Sequence, residues 1–285
     1  MTAGMLAADD RLLVLGGGGW FGRTLLHLVG SSVPVHATAS STRRGLETWD
    51  LARIRDFAPT VVANFAFLTR ERISVEGTQE FNRINRQLTD QFLQTLELPG
   101  VHSAVTVSSG AAVTEPYKPY GQLKLAEEEA ALASASTALT VVVARAYAVS
   151  GPFVRRPRDY AFSDMVLQAA DGRILIKAAQ PTFRRYVSVS DLLTVCMRSA
   201  LAGTTGLIES GGELLEMADL ATRIVDRVNP SAEVSRVPMT SEAPSIYASD
   251  NSTWEYAVSA RKLRPMDLNA QIDAVAQGLV HYRRQ

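Results

Sequence analysis

Leu12-Leu13-Val14-Leu15-Gly16-Gly17-Gly18-Gly19-Trp20-Phe21-Gly22-Arg23-Thr24-Leu25-Leu26 decides the reading of the chain. A four-residue apolar run enters a glycine loop, and helical spacing follows. The pattern predicts a strand that turns into a helix through a phosphate-binding loop. Gly16 would allow the tight turn, Gly19 would let backbone approach a pyrophosphate, and Gly22 would let helix pack on strand. Trp20 and Phe21 open the helix, whose first N–H groups and positive dipole end would face the phosphates. The spacing is Gly-x-x-Gly-x-x-Gly, one residue wider at its start than the Gly-x-Gly-x-x-Gly of many dehydrogenases.

Working outward, apolar runs alternate with helical patterns through the first half. Further strands are predicted at 33–39, 46–50, 61–67, 101–107 and 139–145, and helices at 78–96 and 120–133. This alternation predicts an α/β fold, a doubly wound parallel (Rossmann) sheet covered by helices on both faces. After Gly151-Pro152 the rhythm loosens. Residues 1–150 are therefore read as a dinucleotide-binding domain and 151–285 as a smaller, mainly substrate-binding portion, with about 182–202 returning to the main sheet.

The 285 residues carry 29 basic and 29 acidic side chains, and 46% are hydrophobic. A formal net charge of zero gives no reason to expect nucleic acid or an anionic membrane as partner. Residues 1–10 lack the basic start and apolar core of a signal peptide, and no apolar run approaches a membrane span, so a cytoplasmic location is expected. The single cysteine, Cys196, excludes an internal disulfide and reads as a packed core residue. His27, His36, His102 and His281 show no metal-ligand spacing, so no metal is expected. Glu127-Glu128-Glu129 reads as a solvated helix face, and Arg155, Arg156 and Arg158 as either a solvated loop or a diphosphate grip.

The chemistry gathers after the fifth predicted strand. Val107-Ser108-Ser109-Gly110 closes it, and Tyr120-Gly121-Gln122-Leu123-Lys124 follows. Residues four apart share a helix face, so the ammonium can sit near the phenol, favour its ionised form and make it a proton exchanger for a substrate hydroxyl. A serine at the strand end could hold and polarise the substrate oxygen. These parts suit a proton transfer coupled to hydride transfer with a nicotinamide. At the end of the second strand Ala39-Ser40-Ser41-Thr42-Arg43-Arg44 offers no acid for ribose hydroxyls; Arg43 and Arg44 favour NADP over NAD, with a solvated turn as the other reading.

Taken together, these segments resemble the extended short-chain dehydrogenase/reductase family, the NAD(P)-dependent epimerase/dehydratase group, over most of the chain. Gly16 to Gly22 is similar to its coenzyme loop. Trp49-Asp50-Leu51 is similar to its Asp-Leu motif, whose aspartate contacts adenine, and Asn64-Phe65-Ala66 to its strand segment beside the coenzyme. Asn85 to Thr89 resembles the Asn-x-x-x-Thr helix motif, which makes Asn85 the structural asparagine of a catalytic tetrad. Tyr120 and Lys124 fall on the catalytic pair, with Leu125-Ala126-Glu127 as the usual continuation, and Arg145 to Pro152 is similar to the Arg-x-x-x-x-x-Gly-Pro segment. In Arg184 to Asp191 the resemblance implies that Arg184 reaches a sugar nucleotide's diphosphate. The family's triad hydroxyl stands where this chain has Gly110; Ser109 is favoured in its place, with Ser108 as substitute. Dehydratases of the family carry Asp-Glu where this chain has Ala111-Ala112, which argues against dehydration.

The resemblance implies an NAD(P)-dependent 4-epimerase or 4-ketoreductase of a nucleotide-activated sugar, with Tyr120 as acid/base, Lys124 adjusting it and holding the nicotinamide ribose, and Ser109 orienting the substrate oxygen. The strand-two arginines point to reduction, the overall pattern to epimerisation. A reductase of a non-sugar carbonyl and a non-catalytic dinucleotide sensor are the alternatives. A homodimer through the helices carrying Asn85 and Tyr120 is implied by the resemblance alone.

Overall fold

A computed structural model describes residues 5–39 and 46–280. In chain order the first half holds β1 (Leu12–Leu15), α1 (Trp20–Val29), β2 (Val35–Thr38), α2 (Leu51–Phe57), β3 (Val61–Asn64), α3 (Ile73–Glu76), α4 (Thr78–Leu96), β4 (Ser103–Ser109), α5 (Ala111–Thr114), α6 (Pro119–Ala133) and β5 (Thr140–Ala146). The second half holds β6 (Ala148–Ser150), α7 (Ala161–Ala170), β7 (Arg173–Ile176), β8 (Thr182–Ser188), α8 (Val189–Leu201), β9 (Gly206–Glu209), β10 (Glu213–Glu216), α9 (Met217–Val228), β11 (Glu233–Arg236), β12 (Ser245–Tyr247), α10 (Ser252–Ala260) and α11 (Leu268–Leu279).

The chain divides into two compact units. The first takes the residues up to Ala146 with Leu193–Ile208, and the second takes Tyr147–Leu192 with the residues from Glu209 onward. In the first unit a six-stranded sheet has the order β2-β1-β3-β4-β5-β9, with every pair from β2 to β5 parallel. Parallel strands need crossovers and are covered on both faces, so every residue of β1 and β3 is buried. One face packs Leu13, Leu15, Val62, Ala104, Val141 and Val143 against Ile54 of α2, Phe92 and Leu96 of α4, and Ala131 of α6. In the second unit β8 pairs with β10 on one edge and with β6 and β12 on the other, while β7 and β11 form a separate parallel pair.

Two expectations change. The strand read at 46–50 is reduced to an isolated bridge, Thr38 to Glu47. Asp50 instead caps α2, its Oδ1 accepting from Ala52 N (3.0 Å) and Arg53 N (3.3 Å). An aspartate that satisfies two otherwise unpaired N–H groups starts a helix at the point where the strand would have continued. The return to the main sheet, read at 182–202, falls at 193–208. β8 stays in the second unit's sheet, and the chain re-enters the first unit within α8. Residues 182–188 do read as a strand, but periodicity carries no record of which sheet a strand joins.

Candidate active site

The glycine loop sits at the carboxyl end of β1. Gly17 N donates to Thr38 O (2.8 Å) and Phe65 N to Leu15 O (2.8 Å), which brings the ends of β1, β2 and β3 together around the loop. Gly16 has φ of +79°, and a Cβ there would lie 2.7 Å from Ala66 N. At Gly22 a Cβ would stand 2.4 Å from Gly16 O, inside the helix–loop contact. Both are therefore close-approach positions that no side chain fits. α1 opens at Gly19 with no side chain capping it. Its first-turn N–H groups and positive dipole end suit a pyrophosphate, and the residues present fit a dinucleotide. The Phe21 ring lies 6.0 Å from that of Phe65. Ser40, Arg43 and Arg44 lie outside the described residues. Asp50 spends its Oδ1 on the α2 cap, and Leu51 begins that helix.

Tyr120 and Lys124 lie in the first turns of α6. The Lys124 ammonium is buried, and three acceptors surround it. Nζ donates to Val107 O of β4 (2.8 Å) and to Glu127 Oε2 (2.9 Å), and it lies 3.6 Å from the centre of the Phe67 ring. Glu127 is buried as well, and its Oε1 accepts from Thr106 Oγ1 (2.7 Å) and Asn64 Nδ2 (2.9 Å). Asn64 also donates to Thr106 Oγ1 (3.1 Å) and accepts from Ala66 N (3.1 Å). A single polar network thus ties α6 to β3 and β4 beneath the Tyr-Lys turn. The Phe67 ring meets Tyr120 edge-on at 5.9 Å, and the Arg70 guanidinium lies 5.8 Å from the Tyr120 ring centre.

The solvated face expected at Glu127-Glu128-Glu129 is corrected for its first two members. Glu127 and Glu128 are 1% and 2% exposed, and Glu128 forms a two-pronged pair with Arg145 of β5, whose Nε lies 2.9 Å from Oε1. Buried carboxylates need cationic or N–H partners, and Lys124, Asn64 and Arg145 supply them. Sequence reading missed Glu127, Phe67 and Thr106 as site residues. The available signal was the three-residue step from Lys124 to Glu127, which places both on one helix face.

Ser108 and Ser109 end β4 on opposite faces, by strand alternation. Ser108 shares the face of Thr106, the one turned to Glu127; its Oγ is buried and finds no hydrogen-bond partner among the described residues. Ser109 Oγ accepts from Ala111 N (3.2 Å) at the start of α5. Asn85 is fully buried in α4 and clamps the segment after β3. Its Oδ1 accepts from Leu68 N (2.7 Å) and its Nδ2 donates to Leu68 O (3.4 Å), which fixes the backbone beside Phe67.

In the second unit Arg184 projects from β8. Nη1 donates to Phe183 O (2.7 Å) and Ser245 O (3.2 Å), and the guanidinium lies 5.6 Å from the Tyr247 ring centre. Partial burial lowers its pKa, opposed by Tyr186 and Tyr247. Among the described residues no His/Cys/Asp/Glu group could hold a metal, and no helix is long and apolar enough to cross a membrane.

A parallel sheet with a glycine loop after its first strand, and a Tyr-Lys pair on a helix beside its fourth, defines an extended short-chain dehydrogenase/reductase. Residues 12–207 match the model of the NAD dependent epimerase/dehydratase family, and the chain belongs to that family of nicotinamide-dependent enzymes. Among curated proteins no relative matches. Solved structures share the fold. MoeE5 in complex with UDP-glucose and NAD is 20% identical with a TM-score of 0.74, covering 96% of this chain and 99% of its own. UDP-glucose 4-epimerase from Brucella ovis in complex with NAD is 20% identical with a TM-score of 0.73, covering 94% and 98%. RMD from Pseudomonas aeruginosa complexed with NADPH is 18% identical with a TM-score of 0.73, covering 96% and 98%.

Proposed function

We propose that the protein catalyses hydride transfer at a sugar carbon of a nucleotide-activated sugar, as a 4-epimerase or 4-ketoreductase with Tyr120 as acid/base. The observation that carries this reading is the bond from Lys124 Nζ to Val107 O, which anchors the Tyr-Lys turn of α6 to the end of β4 where the serines stand. The nicotinamide coenzyme, when bound, takes or gives the hydride. In the oxidising direction Tyr120 Oη takes the proton from the substrate hydroxyl, and in the reducing direction it returns a proton to the carbonyl oxygen. A serine hydroxyl donates to that oxygen and orients it. Ser109, half-buried at the end of β4, and Ser108, whose buried Oγ lies on the face of β4 turned to Glu127, are the two candidates for this role. Asn85 holds the segment that carries Phe67 against Tyr120.

Gly16, Gly19, Trp20, Phe21 and Gly22 form the pyrophosphate site, with Phe65 and Ala66 beside it, Asp50 and Leu51 at the adenine, and Arg43 and Arg44 favouring NADP. Arg184 binds the substrate diphosphate. The family neighbours solved with UDP-glucose, NAD and NADPH support this choice of ligands. A homodimer, which rests on the family resemblance alone, and a cytoplasmic location, which rests on the composition of the sequence, belong to the same reading.

The test is an assay of the purified protein with NADPH or NADH and a panel of 4-keto and 4-hydroxy sugar nucleotides. Coenzyme consumed in step with a product two hydrogens heavier identifies a reductase, and isomerised product without net consumption identifies an epimerase. Tyr120→Phe is expected to abolish turnover while coenzyme still binds. Silence across the panel, with coenzyme bound, would overturn the sugar-nucleotide reading. Comparing turnover in Ser108→Ala and Ser109→Ala identifies which hydroxyl orients the substrate oxygen.

A further inference from the structure

Lys124 holds its position with a partner of its own, and the identity of that partner matters for Tyr120. The ammonium has three N–H bonds, and the three acceptors around it are Val107 O, Glu127 Oε2 and the Phe67 ring face. The remaining oxygen of Glu127 accepts from Thr106 and Asn64, so both carboxylate oxygens are engaged. Both side chains are almost fully excluded from water, 5% exposed for Lys124 and 1% for Glu127. In such surroundings a negative charge 2.9 Å from the ammonium offsets most of the field that the lysine casts on groups further along the helix.

We infer that Glu127 is a positioning residue that pins Lys124 to β4 and offsets its charge, so that the ionisation of Tyr120 is governed by the Lys124–Glu127 pair instead of by the lysine alone. The inference rests on the reading of Tyr120 and Lys124 as the acid/base pair. Other charges face Tyr120. Arg70 lies 5.8 Å from its ring centre and is paired with Glu115 at 3.5 Å, and Lys118 pairs with the same carboxylate. About two turns further along α6, Glu128 is matched by Arg145. Arg70 and Lys118 share the single carboxylate of Glu115, so that group leaves a net positive charge near Tyr120 that is the same in the parent and in every Lys124 or Glu127 variant, and a change of midpoint among those variants reads the Lys124–Glu127 pair.

The experiment is a pH titration of the full chain labelled with 13C at tyrosine Cζ, followed by NMR, with the Tyr120 signal assigned by its loss in Tyr120→Phe. Glu127→Gln keeps the shape and an oxygen acceptor but removes the charge, and the Tyr120 midpoint is expected to fall by about half to one pH unit. Glu127→Asp should keep it near the parent value. Should Glu127→Gln not fold, Lys124→Met and the double variant Lys124→Met/Glu127→Gln provide a second measurement. The single change should raise the midpoint, and the double should bring it back close to the parent. Equal midpoints in the two variants, an unmoved midpoint in Glu127→Gln, or a Tyr120 that ionises in no variant before the fold is lost would each overturn the inference. The sugar-nucleotide panel separates the two proposals. A shifted midpoint with a silent panel retains the pair and removes the proposed reaction, whereas turnover with an unmoved midpoint does the reverse.

Discussion

Replacing Glu127 by leucine should destabilise the first unit far more than replacing Glu127 and Lys124 together. Glu127 accepts from Thr106 Oγ1 (2.7 Å), Asn64 Nδ2 (2.9 Å) and Lys124 Nζ (2.9 Å), and it is 1% exposed. Glu127→Leu leaves a buried ammonium with a carbonyl and a ring face for company, and removing one partner of a buried pair costs about 3–5 kcal/mol. At roughly 2–4 °C per kcal/mol for a chain of this size, the melting temperature should fall by ~6–20 °C. Lys124→Met should cost less, about 2–3 kcal/mol, because Glu127 keeps its bonds to Thr106 and Asn64. In Lys124→Met/Glu127→Leu the site becomes apolar, and Thr106 and Asn64 still satisfy one another at 3.1 Å, so the loss should shrink to about 1–2 kcal/mol. Urea unfolding of the four proteins, followed by circular dichroism and tryptophan fluorescence, gives the coupling between the two sites. A double variant whose loss equals the sum of the single losses would refute the reasoning, since it would mean that neither charge depends on the other.

Three further outcomes are expected. Gly22→Ala places a Cβ 2.4 Å from Gly16 O, so the loop must move, and NADPH affinity measured by calorimetry should fall at least tenfold. Cys196 is wholly buried, with burial raising its thiol pKa, so a thiol reagent such as DTNB should leave the folded protein unmodified and react at the rate of unfolding. Burial also raises the Asp191 carboxyl pKa above its ordinary value of 3.8, against bonds from Ser188 and Met266 that lower it. Below pH 3.8 the group is protonated in both states; as pH rises the unfolded chain loses its proton first, and stability declines until the folded carboxyl ionises. Asp191→Asn avoids that decline, so its stability relative to the parent should improve between pH 4 and pH 7, and an unchanged difference in urea midpoints would contradict this account.

Features that depend on neighbours in the chain were legible without a structure. The β1–loop–α1 turn needs only an apolar run, glycines where a Cβ would collide, and a helix start, all within 12–26. Tyr120 and Lys124 share a helix face because of their four-residue step, and α4 occupies 78–96 as its apolar spacing predicts. Six parallel-type strand patterns were also readable, although Asp50 turned one of them into a helix cap and the strand that completes the sheet, β9, came from far along the chain.

Whether a charge is solvated or buried is decided by residues remote in sequence. Glu127 and Glu128 look like a wet surface in a run of three acids, and their burial depends on Thr106, Asn64 and Arg145, 21, 63 and 17 residues away. The same holds for Ser108 and Ser109, adjacent in sequence yet separated by the pleat onto opposite faces, where only packing against α6 distinguishes them. The sequence by itself determined the α/β class, the glycine loop and the Tyr-Lys step, because these follow from backbone sterics and helical period over a few residues. Tertiary structure alone decided which carboxylate meets Lys124, which serine faces α6 and which sheet receives β8, because desolvation and pairing act between segments that the chain brings together only when it folds.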